Sequence, residues 1–301
     1  MPSTRRAIVT GASRGIGRAI AVRLARAGWQ VALFGRDAEA LGETAAACIA
    51  AASVDEGAPG GEPTAAEAPP AKRPRTAASG DAVAAAAAEG AAAGEGAATG
   101  SVFEEGGRFP TVLVDMRDRE RVREAVDRAA ARLGGLEALV CNAAVLLAAS
   151  AVDGDPARWE EELDVNVKGS MAATRYALPH ILRSQASSRA VIFIGSTASQ
   201  WSFPWCGGYC ASKHALKGFA GSVFSEVRDK GVKVTLIMPG FTDTDMVAAN
   251  KGMIKDKMIQ PDDIAHAVEF VLSFPSSACP TEMLIRPQYD CTDGTVPYTI
   301  V

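Results

Sequence analysis

The stretch Thr10-Gly11-Ala12-Ser13-Arg14-Gly15-Ile16-Gly17 constrains this chain more than any other. Its glycines follow Gly-x3-Gly-x-Gly spacing. They lie between a short apolar run at 4–10 and a segment with Ile16, Ile20, Leu24 and Ala27 at helical spacing. A strand, a glycine turn and an amphipathic helix open a βαβ unit. Gly11 permits the tight turn, Gly15 lets the backbone approach a pyrophosphate, and Gly17 lets the helix pack close to the sheet. The free amides of this turn, which takes in Ser13, Arg14 and Ile16, face an anion with the positive end of the helix dipole behind them. A dinucleotide is the expected cofactor.

The pattern then repeats. Strands are expected at 30–34, 111–114, 136–141, 190–195, 232–238 and 283–285. Helices are expected at 37–48, 118–133, 163–185, 209–230 and 262–274. The strands are nearly unbroken apolar runs, as where helices cover both faces of a parallel sheet. The expected fold class is α/β: a doubly wound, Rossmann-like parallel sheet in three α/β/α layers, forming one domain over 1–301.

Residues 53–108 break the pattern. They hold 10 of the chain's 29 glycines, and their large hydrophobes are only Val54, Val83, Val102 and Phe103. Such a stretch buries too little apolar surface to offset its ordering entropy. It reads as a disordered insertion between the second helix and third strand, with a transient Ala-rich helix near 81–93. The short basic cluster Lys72-Arg73-Pro74-Arg75 reads as a solvated patch of that insertion.

With 31 basic and 35 acidic residues the formal net charge is −4, without the basic footprint of a nucleic-acid binder. Six cysteines without a CxxC pair, and three histidines, offer no metal-ligand spacing. The longest weakly polar run, 138–152, is too short to span a membrane. No leader is visible, so a cytoplasmic location is the default expectation.

The second strand ends in Phe34-Gly35-Arg36-Asp37. An NAD site usually has an acid there for the ribose 2′-hydroxyl. Here Gly35 takes that slot, Arg36 follows, and Arg14 lies on the same side. Two guanidinium groups suit a 2′-phosphate, so NADP(H) is preferred over NAD(H). Asp37 fits the cap of the next helix.

Tyr209-Cys210-Ala211-Ser212-Lys213 puts a phenol and an ammonium one helical turn apart. A neighbouring cation favours the phenolate and should lower the tyrosine's pKa. Ser196 stands thirteen residues earlier, just after the fifth strand. The fourth strand ends in Cys141-Asn142-Ala143-Ala144. Asn166 lies in Leu163-Asp164-Val165-Asn166-Val167, and Pro239-Gly240-Phe241-Thr242-Asp243-Thr244 follows the sixth strand. In this ordered set the chain resembles the short-chain dehydrogenase/reductase family, in its single-domain form, over everything except 53–108 and the last ten or so residues.

The resemblance implies roles. Tyr209 would be the acid/base, with Lys213 holding the nicotinamide ribose and lowering its pKa. Ser196 would polarise the substrate oxygen, and Asn166 would hold a water in the proton relay. Asn142 would support the sheet beside the adenosine, Asp115 would contact the adenine amine, and Met116 would supply the adjoining backbone. Thr244 would contact the carboxamide, beside Pro239, Gly240 and Thr242 on the cofactor. After the fourth strand, Ala144 replaces the glycine usual in the family. The segment Thr281 to Pro287 lacks the Asp-Gly-Gly ending of 3-oxoacyl reductases.

The function these residues imply is an NADPH-dependent carbonyl reductase or secondary-alcohol dehydrogenase. Its substrate would be an apolar carbonyl compound lined by Leu146, Trp201, Phe203, Trp205, Phe241 and Met246. The rivals are an epimerase or dehydratase with retained cofactor, and a non-catalytic NADP(H)-binding sensor. A homodimer or homotetramer is expected, built on the helices at 163–185 and 209–230 through Val167, Met171, Leu216, Phe219 and Phe224.

Overall fold

The computed structural model describes residues 5–53, 103–104, 107–248 and 252–294. In chain order the elements are β1 (Arg5–Thr10), α1 (Gly15–Arg26), β2 (Trp29–Gly35), α2 (Ala38–Ser53), β3 (Phe103–Glu104), β4 (Thr111–Leu113) and α3 (Arg119–Leu133). Then follow β5 (Ala138–Cys141), α4 (Pro156–Glu162), a π-helical segment (Leu163–Gly169), α5 (Ser170–Arg183) and β6 (Ala190–Ile194). The order ends with α6 (Gly207–Val227), β7 (Lys233–Pro239), α7 (Pro261–Ser273) and β8 (Glu282–Ile285).

The strands form one sheet in the order β3-β4-β2-β1-β5-β6-β7-β8. Every pair is parallel except β3 with β4. Successive side chains on a strand point to opposite faces, so both faces need cover. Ile8, Leu139 and Cys141 pack with Val122, Ala173 and Leu216 on one face. Ala7, Val9 and Val140 pack with Ile20, Leu41 and Val268 on the other. The strand order reverses between β1 and β5. Doubly wound sheets take ligands beyond the carboxyl ends of the strands at such a reversal.

Directly before β5 stands Glu137, fully buried, which accepts from the Arg6 guanidinium (Nη2 to Oε1 2.7 Å) and from Ser184 Oγ (2.7 Å). The buried carboxylate is thus both paired and hydrogen-bonded.

Three expectations change. The helix read at 163–185 begins earlier, as α4. Asp155 caps it by accepting from Ala157 N (3.0 Å), and proline stands in its first turn. Its middle is a π-helical segment, not a continuous α-helix. α2 runs on to Ser53, and Phe103 and Glu104, inside the expected insertion, pair antiparallel with Val112 and Thr111. The rest of that stretch, including 81–93 and Lys72-Arg73-Pro74-Arg75, lies outside the described residues. Among the described residues, no helix is long and apolar enough to cross a membrane.

Candidate active site

The turn between β1 and α1 lies over the start of the loop that follows β5. Gly11 has φ +64°, and a Cβ there would come within 2.8 Å of Ala143 Cα. Gly15 has φ +54° and faces Thr244. At Gly17 a Cβ would lie 2.1 Å from the Gly11 carbonyl oxygen and 2.5 Å from Asn142 Nδ2. The Asn142 amide donates to the carbonyls of Thr10 (3.0 Å) and Gly11 (3.1 Å). Thr10 Oγ1 accepts from the backbone N–H groups of Asn142 and Ala143 (2.9 and 3.0 Å). Asn142 therefore braces the glycine turn directly. Arg14 is the N-cap of α1 without a side-chain cap, so the amides of the first turn stay open to an anion.

The slot after β2 carries a second reason for glycine. A Cβ on Gly35 would lie 2.3 Å from Ser13 Oγ and 3.2 Å from Leu41 Cδ2. Asp37 caps α2, accepting from Ala40 N at 3.0 Å. Arg36 is exposed at the end of β2. Arg14 is exposed too, and its Nη1 is 3.2 Å from Asp245 Oδ2. Of the two guanidinium groups, Arg14 is thus shared with an acid on the facing loop.

Asp115 is held by Arg117, whose Nη2 lies 2.7 Å from Oδ2 and whose backbone N–H donates to Oδ1 at 2.9 Å. Burial pushes this carboxyl up, but the Arg117 hydrogen bonds and the charges of Arg117 and Arg36 hold it below the usual range. Met116 packs backbone-close to Gly169, where a Cβ would meet its carbonyl oxygen at 2.9 Å. Pro239 ends β7, and Gly240 N donates to Ile285 O (2.8 Å). Thr242 Oγ1 donates to Gly240 O and Thr244 Oγ1 to Thr242 O, at 3.1 and 3.3 Å. Ile16 is half-buried and packs against the core cluster that holds Ala7, Val9 and Ile20.

Tyr209 and Lys213 lie in the first two turns of α6, 8% and 2% exposed. Lys213 Nζ is 5.5 Å from the centre of the Tyr209 ring and donates to Ile194 O at 2.9 Å. Ser196 follows β6 and caps a short 3-10 turn, its Oγ accepting from Ala198 N at 3.1 Å. Burial pushes the Tyr209 phenol up to about 12, while the neighbouring Ser196 hydroxyl pulls it down. Burial pushes the Lys213 ammonium down to about 8.

The expected fall in the tyrosine's pKa is therefore reversed in the protein alone. Both groups have left water, and the desolvation of the phenolate dominates the shift.

Asn166 is fully buried within the π-helical segment. Its Oδ1 accepts from Val145 N (2.8 Å), and its Nδ2 donates to Val145 O (2.9 Å) and Ser212 Oγ (3.0 Å). The side chain clamps the loop after β5 to α6. It does not stand free to hold a water.

The six apolar residues separate into two groups. Leu146 and Phe203 pack with Ala198, Tyr209 and Cys210. Trp201, Trp205 and Met246 are exposed, and Phe241 is half-buried at the end of β7. Arg286 lies over the Trp201 ring at 5.8 Å. Trp205 takes φ 58°, a strained value for a bulky residue, and its carbonyl accepts from Ala149 N at 2.8 Å. That bond ties the loop after β5 to the loop before α6. Sequence reasoning missed Glu162, a buried carboxyl between these parts. Its place in Glu160-Glu161-Glu162 resembles a solvated helix face, and only burial distinguishes it.

The family model described as short chain dehydrogenase matches residues 5–56 and 74–254. An uncharacterized oxidoreductase of Staphylococcus saprophyticus is 29% identical over 281 residues, covering 93% of this chain and 96% of that protein. Sulfoacetaldehyde reductase 2 of Chromohalobacter salexigens is 25% identical over 290 residues, covering 93% of each. The crystal structure of a short chain dehydrogenase from Burkholderia cenocepacia in complex with NADP superposes with a TM-score of 0.70. It is 27% identical and covers 94% of this chain and 96% of that one.

Proposed function

We propose, from the premise that this chain belongs to the short-chain dehydrogenase family, that it is an NADP(H)-dependent oxidoreductase interconverting a carbonyl and a secondary alcohol. One observation carries the reading: Tyr209 is buried beside Lys213, with the Ser196 hydroxyl close enough to pull its pKa down against burial. NADPH would supply the hydride, with its pyrophosphate on the amides around Gly15, its 2′-phosphate at Arg36 and its ribose at Lys213. The turn at Gly11, Gly15 and Gly17 fits such a group: side chains at 11 and 17 would strike Ala143 and the Gly11 carbonyl and distort the turn, and no side chain caps the first amides of α1.

In the reductive direction Tyr209 donates its proton to the carbonyl oxygen while Ser196 strengthens its hydrogen bond as charge builds there. A phenol with its pKa held high remains protonated at neutral pH, which suits a donor. Lys213 holds its position through Ile194 O. Leu146 and Phe203 keep water from the reacting oxygen and favour an apolar substrate. The test is NADPH absorbance with a panel of apolar ketones and aldehydes. Oxidation of NADPH by at least one member is expected, and none from any member would sink the reading.

Arg36→Ala is expected to weaken NADPH about 10- to 100-fold, the loss of a charge-assisted pair worth about 1.5–3 kcal/mol. NADH affinity should hardly change. Equal losses for both nucleotides, measured by fluorescence titration, would remove the 2′-phosphate assignment.

The stretch 54–102 reads as dispensable for chemistry, since loop length adds little closure cost. Its replacement by a short Gly/Ser linker is expected to leave turnover and melting temperature close to those of the full chain. A lost melting transition would show that it packs.

A homo-oligomer through α5 and α6 belongs to the same reading, with a smaller apolar surface than the sequence suggested. Val167 and Leu216 are buried within the chain, and Phe219 meets Phe193 edge-on at 5.8 Å. Met171 remains exposed, in a shallow groove of about 320 Å³ with Ala172 and Tyr176. Light scattering is expected to give a dimer or tetramer at micromolar concentration, and a monomer would remove the proposal.

A further inference from the structure

Glu162 closes α4 with its side chain turned inward and only 1% exposed. Its Oε1 accepts from Leu147 N at 2.7 Å. Its Oε2 has no hydrogen-bond partner among the described residues, and neither has the buried Nε1 of Trp159, three residues earlier. Both side chains press on Gly208. A Cβ there would lie 2.3 Å from Glu162 Oε2 and 2.7 Å from Trp159 Cδ1. One carboxyl group therefore touches two parts of the site: the backbone directly after Leu146 and the backbone directly before Tyr209.

The charges around it are one-sided. Glu161 adds repulsion from its own helix. From α6 and its N-cap, the Cys206 and Cys210 thiols and the Tyr209 phenol each feel the Glu162 charge. From the loop after β5 it receives only the Leu147 amide. Arg158, on α4, is bound to the Ala148 carbonyl at 3.0 Å and is not paired with Glu162. Burial pushes the Glu162 carboxyl up to about 7, even against the Leu147 hydrogen bond.

We propose that Glu162 is a positioning residue for Tyr209: its carboxyl group fixes the loop carrying Leu146 against the first turn of α6, and its negative charge, when present, opposes formation of the phenolate. The inference rests on Tyr209 as the acid/base. Above about pH 7 the carboxylate is charged and favours the protonated phenol, the form that donates in carbonyl reduction. Below that pH the carboxyl is neutral and the opposition is gone. Gly208 follows from the same contact, because a side chain there would displace the carboxyl.

The test is Glu162→Gln, which keeps an acceptor for Leu147 N and removes the charge. In the alcohol-oxidising direction the Tyr209 inflection in the pH profile of kcat/KM is expected to move down by about 0.5–1 unit, the size one charge at short range produces. KM for NADP⁺ should stay the same. An inflection left in place in a folded, active variant would overturn the proposal.

A second measurement needs neither the variant nor a substrate. In the wild-type protein, the NMR amide resonances of Leu147 and Gly208 are expected to shift together with a midpoint near pH 7. Resonances that stay still between pH 5.5 and 8.5 would overturn it as well. Absence of turnover on every carbonyl and alcohol would instead sink the Tyr209 assignment, while the amide titration would still decide where Glu162 acts.

Discussion

Tyr209→Phe is expected to lower turnover by a factor of about 10²–10⁴ while leaving the fold and NADPH affinity close to wild type. The substitution removes one oxygen from a buried ring and keeps its shape, so packing against Leu146, Ala198 and Phe203 persists. The phenol hydroxyl beside Ser196 is lost, and with it the proton donor proposed for the substrate oxygen. The cofactor contacts proposed for the glycine turn and Arg36 are on other elements and should be untouched. Steady-state kinetics on a confirmed substrate, with a nucleotide titration on the same sample, separate the two effects. Wild-type turnover in this variant would require another acid and would return the binding-protein reading to the front.

Gly17→Ala is expected to act on the fold and the cofactor together. Its added carbon would lie 2.1 Å from the Gly11 carbonyl oxygen, a backbone atom that cannot rotate away. It would also press on the Asn142 amide that braces the turn. Either α1 lifts from β1 or the turn opens. Forcing atoms into a packed region costs about 1–3 kcal/mol, and this contact belongs at the upper end. NADPH affinity should fall at least about 100-fold, because the first-turn amides lose their aim. The melting temperature should fall by several degrees. Gly42→Ala, in α2 where a Cβ meets nothing, is the matched control and should be neutral or stabilising. An unaltered melting curve and affinity for Gly17→Ala would mean that the turn is looser than the distances imply.

Much of this site was legible in the sequence because its spacings are local. Gly11, Gly15 and Gly17 lie within one turn and the start of one helix, so their backbone demands appear as a pattern. Tyr209 and Lys213 share a helix face by their separation alone. The apolar strands announced the doubly wound sheet, because a strand covered on both faces has few positions to spare for polar residues. Asp37 was readable as a cap for the same reason, and the structure gives it the Ala40 amide.

What stayed hidden depends on distance through space. Asn166 reads as a polar residue on a helix. Its clamp on Val145 and Ser212 exists only because a π-helical segment turns it toward the loop after β5. The direction of the Tyr209 shift was misjudged from the Tyr-Lys spacing, since spacing reports the neighbouring charge and is silent on how far both groups have left water. Arg14 appeared free for a phosphate until the loop after β7 brought Asp245 to it. Glu162 is the clearest case. The sequence by itself determined that three acids run together at the end of a helix. Only the packing of α4 on α6 decided that the third is buried against Gly208, because burial is set by the elements that meet there and not by the residue's neighbours in the chain.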